Sequence, residues 1–132
     1  MAHASYEKLA VWQRSIELVE FVYRITRDFP SDEKSGLAAT LRRTVTAVPA
    51  KIADADGLDD AEKIIQTLNG IRGTIREMLT YAVICRRLGF LSFMKYKALR
   101  RRLVRIDRVL RMHNEQLSES ISPARHSPRL AA

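Results

Sequence analysis

The sequence predicts an all-α fold, an antiparallel up-down four-helix bundle, with residues 1–120 as a single domain. Apolar residues recur three or four positions apart through four long segments, which is the spacing of one face of an α-helix. Short stretches with proline or glycine separate these segments, and short connections favour antiparallel packing of neighbouring helices. No part of the sequence shows the alternating pattern of a β-strand.

The first predicted helix covers residues 6–28 and ends at Phe29-Pro30-Ser31. Its two apolar stripes span roughly half of the circumference, more than the ~100° that a surface helix buries. Phe21 lies outside both stripes, and surplus apolar surface of this kind favours contacts between subunits. The stripes consist of Leu9, Trp12, Ile16, Val19 and Tyr23, and of Val11, Leu18, Val22, Ile25 and Phe29.

The second predicted helix covers residues 32–55, with Ser31 as its N-cap. Pro49 lies inside it, and because an interior proline removes a hydrogen bond, we expect a kink or a break there. The third predicted helix covers residues 60–88. Asp59 or Asp60 caps its start, and Gly89 ends it.

The fourth predicted helix covers residues 92–118, and its apolar residues form an almost strict heptad seam. Residues 121–132 contain two prolines and few apolar side chains, so we expect a flexible C-terminal tail. The seam consists of Phe93, Tyr96, Leu99, Leu103, Ile106, Leu110, His113 and Leu117.

Composition excludes several classes of protein. With 132 residues, 46% of them hydrophobic, the chain can bury a core of modest size. Cys85 is the one cysteine, which rules out an internal disulfide and fits a reducing cytoplasm. We expect a cytoplasmic protein without a membrane partner, because neither a signal peptide nor a membrane-spanning apolar run is evident.

The positive charge is concentrated in one part of the chain. The formal net charge is +8, and residues 91–132 carry 10 Lys and Arg against 3 Asp and Glu. Such a localised positive field attracts polyanions such as nucleic acid. On a helical projection the cations lie away from the apolar seam, Arg102 borders the core, and Asp107 is the only carboxylate among them. The predicted nucleic-acid-binding residues are Lys97, Arg100, Arg101, Arg105, Arg108 and Arg111.

Aromatic residues do not interleave with these cations on the outer face, which argues against base stacking. We therefore predict salt-sensitive recognition of phosphate and shape with weak sequence specificity. A solvated or protein-binding surface is the alternative for the same helix.

We predict no catalytic site, no metal site and no cofactor. The acidic residues between positions 54 and 62 lack the spacing of a calcium loop, and helix capping explains much of this cluster. Cys85 and His113 lie on apolar seams, where packing is the expected role. Gly70-x-x-Gly73 resembles the backbone clamp of a KH domain, but it lies inside a helical pattern, so close helix packing is the preferred explanation.

Several motifs together resemble one bacterial family, the four helix bundle proteins first found in intervening sequences of 23S ribosomal RNA genes. The accessory variability protein of diversity-generating retroelements is more distantly similar in fold. The similarity runs from residue 6 to residue 91, and helix 4 matches in pattern only. The motifs are Tyr6-x-x-Leu9-x-Val11-Trp12, Tyr23-x-x-Thr26-x-x-Phe29-Pro30, Glu33-x-x-Gly36-Leu37, Leu41-Arg42-Arg43, Val48-Pro49-x-x-Ile52-Ala53, Arg72-Gly73-Thr74-x-x-Glu77 and Leu88-Gly89-x-Leu91.

The resemblance implies a ring of five subunits and no established enzymatic activity. It also implies binding of nucleic acid or of a reverse transcriptase, as suggested for relatives. Among the motif residues, Arg42 and Arg43 are expected to form ion pairs at the bundle edge, with Glu77 as a candidate partner, and phosphate contact is the alternative. We expect any phosphate contact to come from helix 4, since the loop Gly57-Leu58-Asp59-Asp60 is acidic here.

The sequence therefore predicts a non-enzymatic, homo-oligomeric scaffold that contacts RNA or DNA backbone through helix 4. The alternative is an oligomeric protein–protein adaptor without a nucleic-acid role. Outside helix 4, the motif residues expected to be structural are Trp12, Pro30, Arg42, Arg43, Pro49, Gly73 and Glu77.

Overall fold

A computed structural model describes residues 5–121, and over these residues the chain is all-α with four long helices and no strand. The predicted all-α class with four helices is confirmed. The helices are α1 (Ala10–Thr26), α2 (Leu37–Asp56), α3 (Ala61–Arg87) and α4 (Phe93–Ile121). Apart from Ile121, which ends α4, the predicted tail lies outside the described residues.

Each helix packs against its neighbours in the chain, and α1 also packs against α4, which closes the bundle. The core between them is built from the apolar faces that the helical spacing identified, and Leu18, Leu41, Ile75 and Leu103 are at most 1% exposed. Burying a side chain of this size contributes about 1.5–3 kcal/mol, so the four faces are the main favourable contribution to folding. No helix within residues 5–121 is both long and apolar enough to cross a membrane.

α1 is shorter than the prediction of residues 6–28. Ser5–Lys8 form a separate 3₁₀ turn, and Leu9 then adopts an extended backbone before α1 begins. This break lets the Tyr6 ring fold back to 5.4 Å from the Trp12 ring, and Trp12 packs on the core. Sequence periodicity cannot distinguish such a turn from a first helical turn, because both place the same residues near one face.

The predicted N-cap at Ser31 is wrong. Ser31–Glu33 form a 3₁₀ turn after the exposed Pro30, and α2 begins only at Leu37. A carboxylate oxygen of Glu33 accepts a hydrogen bond from the Leu37 amide at 3.1 Å. Glu33 thereby satisfies a free amide at the positive end of the helix, which is the role assigned to Ser31.

Of the kink or break predicted at Pro49, the break is wrong, since α2 continues through this residue to Asp56. Val45, Val48 and Ile52 are buried on either side of Pro49. Each of these side chains gains about 1.5–3 kcal/mol on burial, which outweighs the ~3 kcal/mol that an interior proline costs. Pro49 is itself buried, so its ring is part of the packed face.

The predicted ends of α3 are confirmed to within one residue. Asp60 is the N-cap, and its carboxylate accepts a hydrogen bond from the Glu62 amide at 3.0 Å. Gly89 has φ of +82°, a conformation that favours glycine, and the following amide of Phe90 returns to the Cys85 carbonyl at 2.8 Å.

The seam of α4 departs from the prediction at its C-terminal end. His113 is exposed, and the buried residue there is Asn114. The seam advances four positions beyond Leu110 because an α-helix has 3.6 residues per turn. Asn114 donates from its side-chain amide to Asn69 on α3 at 2.8 Å, so a polar pair lies within the contact between α3 and α4.

The prediction of close packing at Gly70 and Gly73 is wrong within the chain. Both lie inside the continuous helix α3, and a methyl group built on either glycine meets no atom within 4 Å among the described residues. The two glycines therefore lie on an open face of α3.

Candidate nucleic-acid interface

The outer face of α4 carries a row of exposed cations, here called the α4 stripe: Lys97, Arg100, Arg101, Arg105 and Arg108. These side chains surround the half-buried Val104 and line a shallow depression of about 540 Å³. The structure therefore brings together five of the six cations that the sequence proposed as a binding surface.

Asp107 does not interrupt this field. Its carboxylate accepts a hydrogen bond from the Nε of Arg72 on α3 at 2.9 Å, and the two side chains are only 28% and 22% exposed. The pair links α3 to α4. The charge of Asp107 is compensated by Arg72 and not by a member of the α4 stripe. In the part of the chain that the structure describes, no member of the α4 stripe has a carboxylate partner within 4.0 Å.

Arg111, the sixth predicted cation, differs from the others. Its Nε lies 3.7 Å from the Glu115 carboxylate, one helical turn further along α4. An exposed pair of this type contributes about 0.3–0.5 kcal/mol and leaves both groups solvated. Arg111 nevertheless adds less positive charge to the surface than the members of the α4 stripe do.

One end of this surface carries an exposed aromatic side chain, which the sequence analysis did not place there. The Phe93 ring is 53% exposed, with Lys97 Nζ 5.3 Å and the Arg86 guanidinium 5.5 Å from its centre. These are cation–π distances. Phe93 was assigned to the apolar seam because it fits the heptad spacing, yet the seam is buried only from Leu99 onward.

Arg102 lies beside the α4 stripe but is held against α1. Its guanidinium lies 3.9 Å from the centre of the Phe21 ring and donates to the Ala98 carbonyl at 3.1 Å. Burial lowers the pKa of Arg102, and the neighbouring cations Arg101, Arg24 and Arg105 lower it further. Phe21 is thus covered by an arginine of the same chain, which explains an apolar residue that the sequence assigned to subunit contacts.

The sequence reasoning missed Arg14 on α1. Arg14 lines a groove between α1 and α4 together with Arg101, Arg102 and Arg105. A signal was present, since an up-down bundle of four helices places the first helix beside the fourth. Arg14 lies one turn before the buried Leu18, at the edge of the face that α1 turns toward its neighbours.

Arg42 has a different partner from the one predicted. It donates from Nε to the Thr26 hydroxyl at 2.9 Å and from Nη2 to the Tyr23 carbonyl at 3.2 Å, and it stacks 4.5 Å from the Tyr23 ring centre. Arg42 therefore satisfies the C-terminal end of α1, where the helix dipole favours a cation. Glu77 instead accepts a hydrogen bond from the Tyr81 hydroxyl at 3.4 Å, while Arg43 is exposed.

Other reactive side chains serve structural roles. Cys85 is fully buried, and burial raises the pKa of its thiol to about 11. Asp56 accepts a hydrogen bond from the Ser5 hydroxyl, and Asp60 caps α3, which accounts for two members of the acidic cluster. Within residues 5–121, no three His, Cys, Asp or Glu side chains are grouped so as to hold a metal ion.

The fold and this surface define a basic four-helix bundle protein. The family model of the 23S rRNA-intervening sequence protein matches residues 7–112, which is most of the chain, and the protein belongs to that family. The match confirms the resemblance seen in the sequence and extends it over the α4 stripe. No curated protein shows significant similarity to the chain.

Proposed function

We propose that the protein is a non-enzymatic, oligomeric binding scaffold of the cytoplasm that contacts RNA or DNA backbone through the α4 stripe. One observation carries the proposal: five adjacent cations lack carboxylate partners within residues 5–121, while the nearby Asp107 is paired with α3. A solvated helix ordinarily mixes both signs of charge to gain pairs between successive turns. A surface of one sign costs stability through repulsion unless an anion binds to it.

The chemistry of the α4 stripe favours phosphate over bases. Arginine and lysine bind phosphate oxygens and release counterions, so affinity falls steeply as salt rises. The exposed Phe93 lies at one end only, and the centre of the stripe holds Val104, so the stripe lacks a series of aromatic platforms for stacking. Binding should depend on backbone charge and shape far more than on sequence.

Self-association is part of the proposal. Apolar side chains are exposed at the end of the bundle where α3 meets α4, and they include Leu88, Phe93 and Met94. The family resemblance implies a ring of five, which would repeat the α4 stripe on every subunit and strengthen binding to a long polyanion through multivalency. A protein partner such as a reverse transcriptase remains a prediction from the resemblance.

The same apolar end favours a second candidate, an oligomeric protein–protein adaptor. In that case Leu88, Phe93 and Met94 would contact another protein, and the cationic charge would serve solubility or an acidic partner. The absence of an enzymatic activity is proposed for both candidates. It is supported by Cys85, whose thiol is buried with a raised pKa and is therefore a poor nucleophile.

The first experiment is fluorescence anisotropy of the protein with a short structured RNA and a matched DNA duplex across a salt series. The test variant replaces Arg101, Arg105 and Arg108 by Glu. A matched control replaces Lys51, Lys63 and Arg76 by Glu, which makes the same change in charge at exposed positions on α2 and α3.

We expect the wild-type protein and the control to bind with a linear dependence of log affinity on log salt, and the stripe variant to lose binding with helicity intact. Equal losses of affinity in both variants would mean that binding depends only on the net charge of the protein, which would contradict a defined binding surface. If the wild-type protein binds neither RNA nor DNA at low salt, the protein–protein adaptor becomes the favoured function.

A further inference from the structure

The groove between α1 and α4, here called the α1–α4 groove, is a separate feature from the outer face of α4. It has a volume of about 190 Å³, which is several times the share of one water molecule in the liquid. Its lining comes from two helices: Arg14, Glu17 and Leu18 of α1, and Arg101, Arg102, Arg105 and Ile106 of α4.

The floor of the α1–α4 groove is rigid and apolar. Leu18 is 1% exposed and Ile106 is 2% exposed, and both belong to the packed core. Arg102 forms part of the wall and is held in place by its stacking on Phe21 and its hydrogen bond to Ala98. The floor and Arg102 are therefore held in place before a ligand binds, whereas Arg14, Arg101 and Arg105 are exposed side chains at the edge of the groove.

The α1–α4 groove carries unbalanced positive charge. Four guanidinium groups line it against one carboxylate, that of Glu17. Arg14, Arg101 and Arg105 take part in none of the ion pairs found among residues 5–121. Repulsion by Arg101 and Arg105 also contributes to the lowered pKa of Arg102, after the larger effect of burial. An anion that entered the groove would relieve this repulsion.

Two residues connect the groove with the α4 stripe. Arg101 and Arg105, one helical turn apart, line both the α1–α4 groove and the depression on the outer face of α4. A nucleic-acid backbone lying along the α4 stripe therefore passes the mouth of the groove. The planar guanidinium group donates two parallel hydrogen bonds to phosphate oxygens, so several of them converging from two helices suit a phosphate group.

We infer that the α1–α4 groove seats one phosphate of a nucleic-acid backbone, held by Arg14 from α1 and by Arg101 and Arg105 from α4. This inference rests on the proposed function and adds an anchoring point to which a second helix contributes. Glu17 lies in the same groove, and its carboxylate offsets only part of the positive charge of the four guanidinium groups. The α4 stripe then supplies looser contacts to the neighbouring phosphates.

The test compares three single substitutions of exposed arginines: Arg14→Gln in the groove, Arg108→Gln in the α4 stripe alone, and Arg76→Gln on α3 as a control. The probe is a 12-nucleotide single-stranded RNA of mixed sequence, followed by anisotropy across salt. On single strands each phosphate contact contributes about 0.7 to the slope of log affinity against log salt. We expect Arg14→Gln to lower the slope by about one such contact, and Arg76→Gln to leave it unchanged.

A second readout follows the Nε–Hε resonances of the arginines by NMR during titration with inorganic phosphate. In the wild-type protein the resonances of Arg14, Arg101 and Arg105 should move together and saturate. In the Arg14→Gln variant those of Arg101 and Arg105 should need several-fold more phosphate. Unchanged RNA binding by Arg14→Gln, together with weaker binding by Arg108→Gln, would contradict phosphate binding in the α1–α4 groove. The proposed function would still be supported. Absence of RNA binding by the wild-type protein would overturn both.

Discussion

At the scale of single residues, one side-chain type performs several distinct tasks in this protein. Arg42 satisfies the C-terminal end of α1, Arg72 pairs with Asp107, and Arg102 stacks on Phe21. These three arginines are half-buried, and each has a partner within hydrogen-bonding or stacking distance. Arg101 and Arg105 are exposed and lack such partners within residues 5–121. The first three arginines therefore lie within reach of a partner group, whereas Arg101 and Arg105 do not among the described residues.

Cys85 shows how burial alone changes the chemistry of a residue. Its side chain is fully buried in the core, where the thiolate would lack solvation. The pKa of the thiol rises from 9.0 to about 11, chiefly through burial and also through the charge of Glu33. The unfolded chain therefore loses this proton at lower pH than the folded protein does.

This pKa shift predicts that Cys85 contributes to a loss of stability at alkaline pH. Its contribution is complete below pH 9 and disappears as the pH rises toward 11, because the unfolded state then binds fewer protons. The loss reaches at most about 3 kcal/mol, since one pKa unit corresponds to 1.36 kcal/mol. Urea denaturation from pH 8 to pH 11 measures it. The control is Cys85→Ala, for which the free energy of unfolding should fall less steeply, and equal slopes would contradict the shift.

At the scale of helices, α3 and α4 are joined by polar contacts at two levels. Asn69 meets Asn114, and Arg72 meets Asp107 nearly two turns earlier along α4. Polar pairs of this kind favour the observed register because a sliding helix would break both hydrogen bonds. They therefore position the α4 stripe relative to the rest of the bundle.

The open face of α3 permits a test with Gly70→Ala and Gly73→Ala. Since a methyl group at either position meets no atom within 4 Å among the described residues, each substitution should raise the free energy of unfolding. The gain should be about 1 kcal/mol per glycine, which is the difference in helix propensity between glycine and alanine. Chemical denaturation measures it. A loss of stability or of the oligomer would show instead that another subunit approaches this face closely.

At the scale of the whole molecule, the exposed apolar end of the bundle adjoins one end of the α4 stripe. Leu88, Phe93 and Met94 are exposed where α3 connects to α4, and Lys97 Nζ, at the start of the stripe, lies 5.3 Å from the centre of the Phe93 ring. Met94 is 74% exposed, which is costly for a large apolar side chain that stays in water. A bundle that uses this end for assembly leaves the rest of the α4 stripe, from Arg100 to Arg108, free for a ligand.

We expect the wild-type protein to assemble into five subunits in size-exclusion chromatography with light scattering. The double substitution Leu88→Lys and Met94→Lys should release smaller species, because two charges would replace exposed apolar contacts. The single substitution Gln66→Lys at an exposed position of α3 serves as the control. An unchanged mass in the double variant would exclude this end of the bundle from the interface.

The interior of the protein follows from the sequence, and the site follows from it only in part. Helical spacing identified Leu99, Leu103 and Ile106 as buried, because a periodic apolar face has few ways to leave water. The stripe on the opposite face of α4 followed from the same projection. The presence of Arg14 in the site did not follow from that projection, since its place beside Arg101 depends on how α1 packs against α4.

What the sequence by itself determined is the set of four helices, most residues of the core and the cationic face of α4. These depend on local spacing and on burial, which act through residues close together in the chain. Only the tertiary structure decided the partners of Arg42, Asp107 and Arg102, the open face at Gly70 and Gly73, and the α1–α4 groove. Those features join residues on different helices, and their geometry is set by packing that no local pattern records.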